Sequence, residues 1–88
     1  MNKQVEKLAE NLVEYEDYEL LDEEAFCDSL IATTDDDRAV YDFDIMVEEY
    51  AKFHNVEPME AADYISYNIV RGLKYYGSKA PIIIFPLR

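Results

Sequence analysis

Tryptophan is absent from this 88-residue chain, glycine occurs only twice, and cysteine and histidine once each. Each shortage removes a class of chemistry. With Gly72 and Gly77 alone there is no glycine-rich turn to cradle a phosphate. A lone Cys27 excludes an intrachain disulfide framework and fits a reducing compartment. It also lies among acids, which raise a thiol's pKa and leave it a poor nucleophile. A lone His54 allows no histidine pair, and its place near a predicted helix end suits a partly buried core residue. Paired carboxylates can serve as acid and base, but nothing marks one pair over the others. The expectation is a protein that is not an enzyme, with no catalytic residues and no cofactor.

Long apolar runs are missing too. Nothing approaches the roughly 20 residues of a membrane span. The opening "MNKQVEKLAENL" lacks the continuous apolar segment of a signal peptide. A cytoplasmic protein that does not enter a membrane is expected.

Cations are the scarcest resource relative to their opposites. Eight Lys and Arg face twenty Asp and Glu, a net charge of -12. The imbalance is uneven. Residues 1–50 carry seventeen acids against Lys3, Lys7 and Arg38, whereas residues 51–88 carry three acids against five cations. Between Glu10 and Glu49 only Arg38 answers the acids. Phosphates would be repelled by that half, so direct nucleic-acid binding is not expected. The cations Arg71, Lys74, Lys79 and Arg88 among Tyr64, Tyr67, Tyr75 and Tyr76 are better read as neighbours of a helix carbonyl end.

What is present is enough apolar material to fold. Half the residues are hydrophobic, including eight Tyr and four Phe, too apolar for a disordered acidic tail. One small domain over 1–88 is expected. The apolar spacing of Val5, Leu8, Ala9, Leu12 and Val13 predicts a helix over 2–16. Asp22 as N-cap, with Leu21 and Phe26 as a staple, predicts a second over 23–31. Thr34 as cap and Val40, Phe43, Met46, Val47 and Tyr50 as a stripe predict a third over 36–54. A hairpin of "LIATT" against "AVYDF" competes there, because both pieces have strand character. Asn55 as C-cap and Pro58 at a first helical position open a fourth helix over 58–74. The segment "KAPIIIFP" predicts an extended or β tail over 80–86 that lies in a groove, pairs with a short strand, or pairs with another chain. The expected fold is mainly α, a bundle of about four helices with a short tail.

The stretch "TTDDDRAVYDFD" concentrates Asp35, Asp36, Asp37, Asp42 and Asp44. As a calcium loop counted from Asp35 it fails, with Val40 and Met46 where glycine and glutamate are required. No metal site is expected. On the first predicted helix Glu6, Glu10 and Glu14 recur every four residues, about 6 Å apart along the axis. Such like-charged pairs cost rather than contribute a few tenths of a kcal/mol each. Phosphates along a nucleic-acid strand repeat at a similar distance, so two carboxylate ridges can occupy a basic groove. Tyr15, Tyr18 and Tyr41 lie beside the acids as candidate aromatic anchors or as core fillers.

The segment Glu60–Phe85 resembles small acidic proteins carried by phages and integrative elements of Gram-positive bacteria. The likeness rests on Tyr67, Asn68, Tyr76, Gly77, Ala80, Pro81, Ile82 and Ile83, and covers about the last third of the chain. It implies a mobile-element setting and brings no activity with it. In size, acidity and tyrosine content the chain is also similar to anti-CRISPR and antirestriction proteins, many of which mimic DNA. That likeness is compositional. The expected partner is a basic nucleic-acid-binding protein, with a Cas effector or a restriction enzyme as candidates. The competing expectation is an interaction module, homodimeric through the apolar tail, whose acids serve solubility.

Overall fold

The computed structural model describes residues 2–87. It is not the mainly α bundle that the periodicities predict. Helical backbone accounts for 47% of the described residues and is joined by a three-stranded mixed sheet, giving a small α/β domain. In chain order the elements are α1 (Lys3–Glu10), β1 (Leu30–Thr33), β2 (Ala39–Asp42), α2 (Phe43–His54), α3 (Pro58–Ile65) and β3 (Ile82–Ile84). A π-helical turn at Ser66–Val70 and a 3-10 segment at Leu73–Lys79 join α3 to β3.

Helix α1 starts where Asn2 accepts the Gln4 N–H at 2.7 Å and ends six residues before the predicted limit. Asn11 caps it, Leu12 enters the left-handed region (φ 61°), and two reversed bonds close the turn. The Leu12 N–H reaches the Ala9 carbonyl at 3.0 Å and the Val13 N–H the Leu8 carbonyl at 2.9 Å. This is a Schellman closure with leucine where glycine is usual. Leu12, expected in the core, is 94% exposed. The buried side of α1 is Gln4 and Leu8, so the apolar stripe was misassigned around a buried amide.

In place of the 23–31 helix, residues 24–29 form turns and Leu30 and Ile31 open β1. Two of the turn amides are claimed from outside: the Glu49 carboxylate on α2 accepts from Asp28 N–H at 2.8 Å and Ser29 N–H at 2.9 Å. The third predicted helix loses its first seven residues to the competing hairpin. Thr34 does not cap a helix. Its amide donates to the Arg38 carbonyl at 2.9 Å, its Oγ1 accepts from the Arg38 N–H at 3.0 Å and donates to Asp36, and its carbonyl accepts from Asp37 N–H at 3.2 Å. Asp37 takes φ 61°, a backbone region Asp tolerates better than most residues. A three-residue turn ending in a left-handed residue suits a hairpin. Strand β2 then alternates, with Ala39 and Tyr41 buried and Val40 and Asp42 half-buried. The cap of α2 is Asp42, whose Oδ1 accepts from Ile45 N–H at 3.2 Å.

Asn55 (φ 54°) and Pro58 end α2 and begin α3 as expected. The two helices meet through aromatic rings: Tyr50 lies 4.6 Å from Tyr64 and 4.1 Å from His54 between centroids. The α-helix stops at Ile65 rather than near residue 74. Gly77 (φ 86°, ψ -153°) turns the chain back toward the sheet in a conformation closed to other residues.

β1 runs antiparallel to β2, with Leu30 opposite Tyr41 and Thr33 opposite Ala39, and an irregularity between Leu30 and Ala32. β3 runs parallel to β2, setting Val40, Tyr41 and Asp42 against Ile82, Ile83 and Ile84. The sheet order is therefore β1-β2-β3, and the predicted tail is a strand of the fold. Leu8, Leu21, Phe26, Leu30, Ala39, Tyr41, Met46 and Ile65 make the core. Tyr41 sits at its centre, its hydroxyl accepting from Leu21 N–H at 3.1 Å and donating to Gln4.

Candidate functional site

The two acid-bearing elements, α1 and the β1–β2 hairpin, face each other across a groove of about 430 Å³. Lys7, Leu8, Asn11 and Val13 line it from the α1 side and Leu30 to Thr33 from the strand side. The lining mixes apolar side chains with Lys7, Asn11 and Thr33, and acids adjoin it along the chain. Glu6, Glu10 and Glu14 each neighbour a lining residue of the first set, and Asp35–Asp37 follow the second. All three glutamates, Asp35 and Asp36 are exposed, while Asp37, Asp42 and Asp44 are half-buried.

The structure does not keep the predicted ridges intact. Glu6 and Glu10 share a helix face, but Glu14 lies beyond the Leu12 turn and off the helix. Asp35, Asp36 and Asp37 form the hairpin tip, whereas Asp42 is occupied in capping α2. The aromatic set also divides. Tyr15 and Tyr18 are half-buried against the core, but Tyr41 has 0% exposure and cannot touch a partner. Its burial pushes its ionisation well above the usual tyrosine range.

Compensation is scarce because the cations are engaged elsewhere. Lys7 Nζ donates to the Cys27 carbonyl at 2.9 Å, Arg38 Nε to the Ala80 carbonyl at 2.8 Å, and Lys79 Nζ to the Asp36 carbonyl. Arg71 lies 4.5 Å from the Tyr67 ring centre and Lys74 5.3 Å from that of Tyr75. Among the described residues no Lys or Arg lies within ion-pair distance of a carboxylate. The one such contact involves histidine, His54 to Glu23 at 3.2 Å. Of the seven described Lys and Arg, three thus satisfy backbone carbonyls and two rest on rings, while Lys3 and Lys52 are exposed. The acidic field is left open to solvent.

Among the described residues no three His, Cys, Asp or Glu side chains converge on a metal position. The Asp36 carboxyl is held below its usual range, first by the Thr34 hydroxyl, with Arg38 and Lys79 adding to it. The Cys27 thiol is pushed up, chiefly by burial, with nearby Lys7 opposing. A smaller cleft of about 200 Å³ opens between Asp22 and Glu23 on one side and Tyr64, Asn68 and Tyr76 on the other. No helix of the described residues is long and apolar enough to cross a membrane.

Gln4, Glu49 and Lys7 carry duties that sequence reading missed. The signal for Gln4 was its position four before Leu8, which places both on one face. For Glu49 and Lys7 there was none, because their acceptors and donors lie 20 or more positions away. No family model matches the chain, and comparisons with curated proteins and with solved structures likewise find no match.

Proposed function

We propose that this chain is a small acidic inhibitor that binds a basic nucleic-acid-binding protein by offering carboxylates in place of phosphates, in the manner of anti-CRISPR and antirestriction factors. A Cas effector or a restriction enzyme in the cytoplasm is the candidate target. One observation carries the reading: among the described residues the exposed Glu6, Glu10 and Asp35 beside the α1–β1 groove make no ion pair with Lys or Arg, while Lys7, Arg38 and Lys79 bond to carbonyls. A solubilising surface is stabilised by interspersing both signs, so an uncompensated one serves an outside cation better. Glu6 and Glu10, about 6 Å apart along α1, retain phosphate-like spacing. Association would be fast, steered and salt-sensitive.

The test keeps the structural acids native. Asp42 caps α2 and Glu49 ties the 28–29 turn, so the informative variant is Glu6→Gln, Glu10→Gln, Asp35→Asn and Asp37→Asn together. Wild-type protein as bait in host extract should retain a nucleic-acid-processing enzyme identified by mass spectrometry. The variant should lose about tenfold or more in affinity, with an unchanged circular dichroism spectrum. Binding that ignores both the substitutions and raised salt would overturn the proposal.

A second reading has its own observation. Beyond β3, Phe85 is 58% and Leu87 100% exposed, an apolar end that could join two copies. Because β3 belongs to the sheet, deleting the whole tail would damage the fold. Phe85→Ser with Leu87→Ser tests it instead: a dimer in sedimentation that these changes dissolve would favour this reading over the first.

A further inference from the structure

The smaller cleft, of about 200 Å³, is walled by acids and rings, and no Lys or Arg of the described residues lines it. Asp22 and Glu23 stand on one side and Tyr64, Asn68 and Tyr76 on the other. A chain of contacts ties the two sides together. The Glu23 carboxylate meets His54 at 3.2 Å, His54 lies 4.1 Å from Tyr50 between ring centres, and Tyr50 lies 4.6 Å from Tyr64. A carboxylate and a ring on facing sides are thereby positioned before any ligand arrives. Asp22 is exposed, and among the described residues it makes no hydrogen bond and no ion pair. Burial, and after it the Asp22 and Glu19 charges, push the Tyr76 phenol above its ordinary range. Asn68 belongs to the π-helical turn, a form frequent at functional sites. Its Nδ2 donates to the Tyr64 carbonyl at 3.1 Å, which leaves Oδ1 as an acceptor. Arg71 and Lys74, on either side of the lining residue Gly72, rest instead on the rings of Tyr67 and Tyr75.

These walls define an occupant. Carboxylates call for a positive charge, and aromatic faces favour one that is planar and weakly hydrated, which selects guanidinium over ammonium. The volume sets the size. It falls below the roughly 300 Å³ at which pockets for drug-sized ligands begin, so one side chain fits and a nucleotide does not. We propose that this cleft receives one arginine side chain of the basic partner, its guanidinium paired with Asp22 and laid against Tyr64 or Tyr76. The inference rests on the acidic-inhibitor reading and adds an anchoring point outside the α1–β1 groove. Arginine and tyrosine seated in a pocket are the contacts on which interface energy concentrates.

The test titrates the isotope-labelled full chain with an end-blocked Gly-Arg-Gly peptide, in the millimolar range expected for one side chain. The amides of Glu23, Asn68 and Gly72 should shift saturably. Citrulline in place of arginine keeps the shape and removes the charge, and affinity should fall about tenfold or more. Asp22→Asn, which breaks no bond of the fold, should reproduce that loss. In the host-extract experiment Asp22→Asn with Tyr64→Leu should cost about tenfold or more in affinity for the retained enzyme, with an unchanged circular dichroism spectrum. Equal response to arginine and citrulline, or cleft amides that stay still, would overturn the proposal and leave the acidic-surface reading standing. Arginine-selective shifts with no enzyme retained from extract would keep the guanidinium site and overturn the inhibitor reading. Cleft shifts produced by concentrating the chain alone would make the arginine donor a second copy and overturn the proposal.

Discussion

Arg38 Nε donates to the carbonyl oxygen of Ala80 at 2.8 Å, across 42 positions of sequence. The one cation amid the acidic run is thereby used to hold β3 against β2, and it acts on Asp36 through its charge without forming an ion pair.

Arg38→Ala should therefore weaken the fold while deepening the acidic field. A hydrogen bond from a charged donor to a half-buried carbonyl contributes about 1–2 kcal/mol net. For a domain of this size each kcal/mol corresponds to about 4–8 °C in Tm. Thermal denaturation should show a drop of that order, and affinity for the basic partner should stay level or rise. A fall in affinity without a change in Tm would show that Arg38 contacts the partner.

Tyr41→Phe removes the group that joins β2 to both Gln4 and the Leu21 amide. Two buried polar groups lose a partner, at about 1–3 kcal/mol; urea denaturation reads this. Partner binding should be unaffected, since Tyr41 reaches no surface. The phenol also sets a pH dependence. Tyr41, Tyr50 and Tyr76 all ionise above their ordinary range, in each case chiefly through burial. A raised value in the folded state means that the neutral phenol is favoured by folding. Its contribution is complete below the unfolded value of about 10 and is lost as pH rises through the folded values. Stability should decline above about pH 10, and the Tyr41 phenolate absorbance should appear only with unfolding.

Salt should act with opposite signs on folding and on binding. Carboxylates without cationic partners repel one another in the native state, so screening favours the compact chain. Raising ionic strength from about 0.01 M to about 0.15 M shortens the Debye length from about 30 to about 8 Å. Tm should rise over that interval while affinity for the basic partner falls. A Tm that falls with salt would mean that attractive pairs outweigh the repulsion.

The parts of the fold that were legible were those decided locally. Asn55 and Pro58 mark a helix boundary because backbone geometry at each is set by the residue itself. The Asn2 cap left no comparable mark in a sequence reading, because any of several polar residues could have served. The hairpin was legible only as a competitor, since Val40 and Phe43 satisfy a strand and a helical stripe alike. Tertiary packing decided it, placing Tyr41 in the core through Gln4 and Leu21. On the site side, chain order alone placed Asp35–Asp37 together. That α1 and β1 confront each other across a groove could not be read from spacing, because the Leu12 reversal redirects the chain after α1.

The sequence by itself determined the charge: an acidic first half and a cation-poor stretch from Glu10 to Glu49. It also determined that an apolar end required cover. Only the tertiary structure decided what those features meet. The parallel pairing of β3 with β2 joins residues about 42 apart, and the bonds from Lys7, Arg38 and Glu49 join residues 20 to 42 apart. Contacts at that separation depend on loop closure and on collective burial of the core, not on local propensity. Those long-range bonds draw the cations inward to carbonyls, and the acids are left facing out.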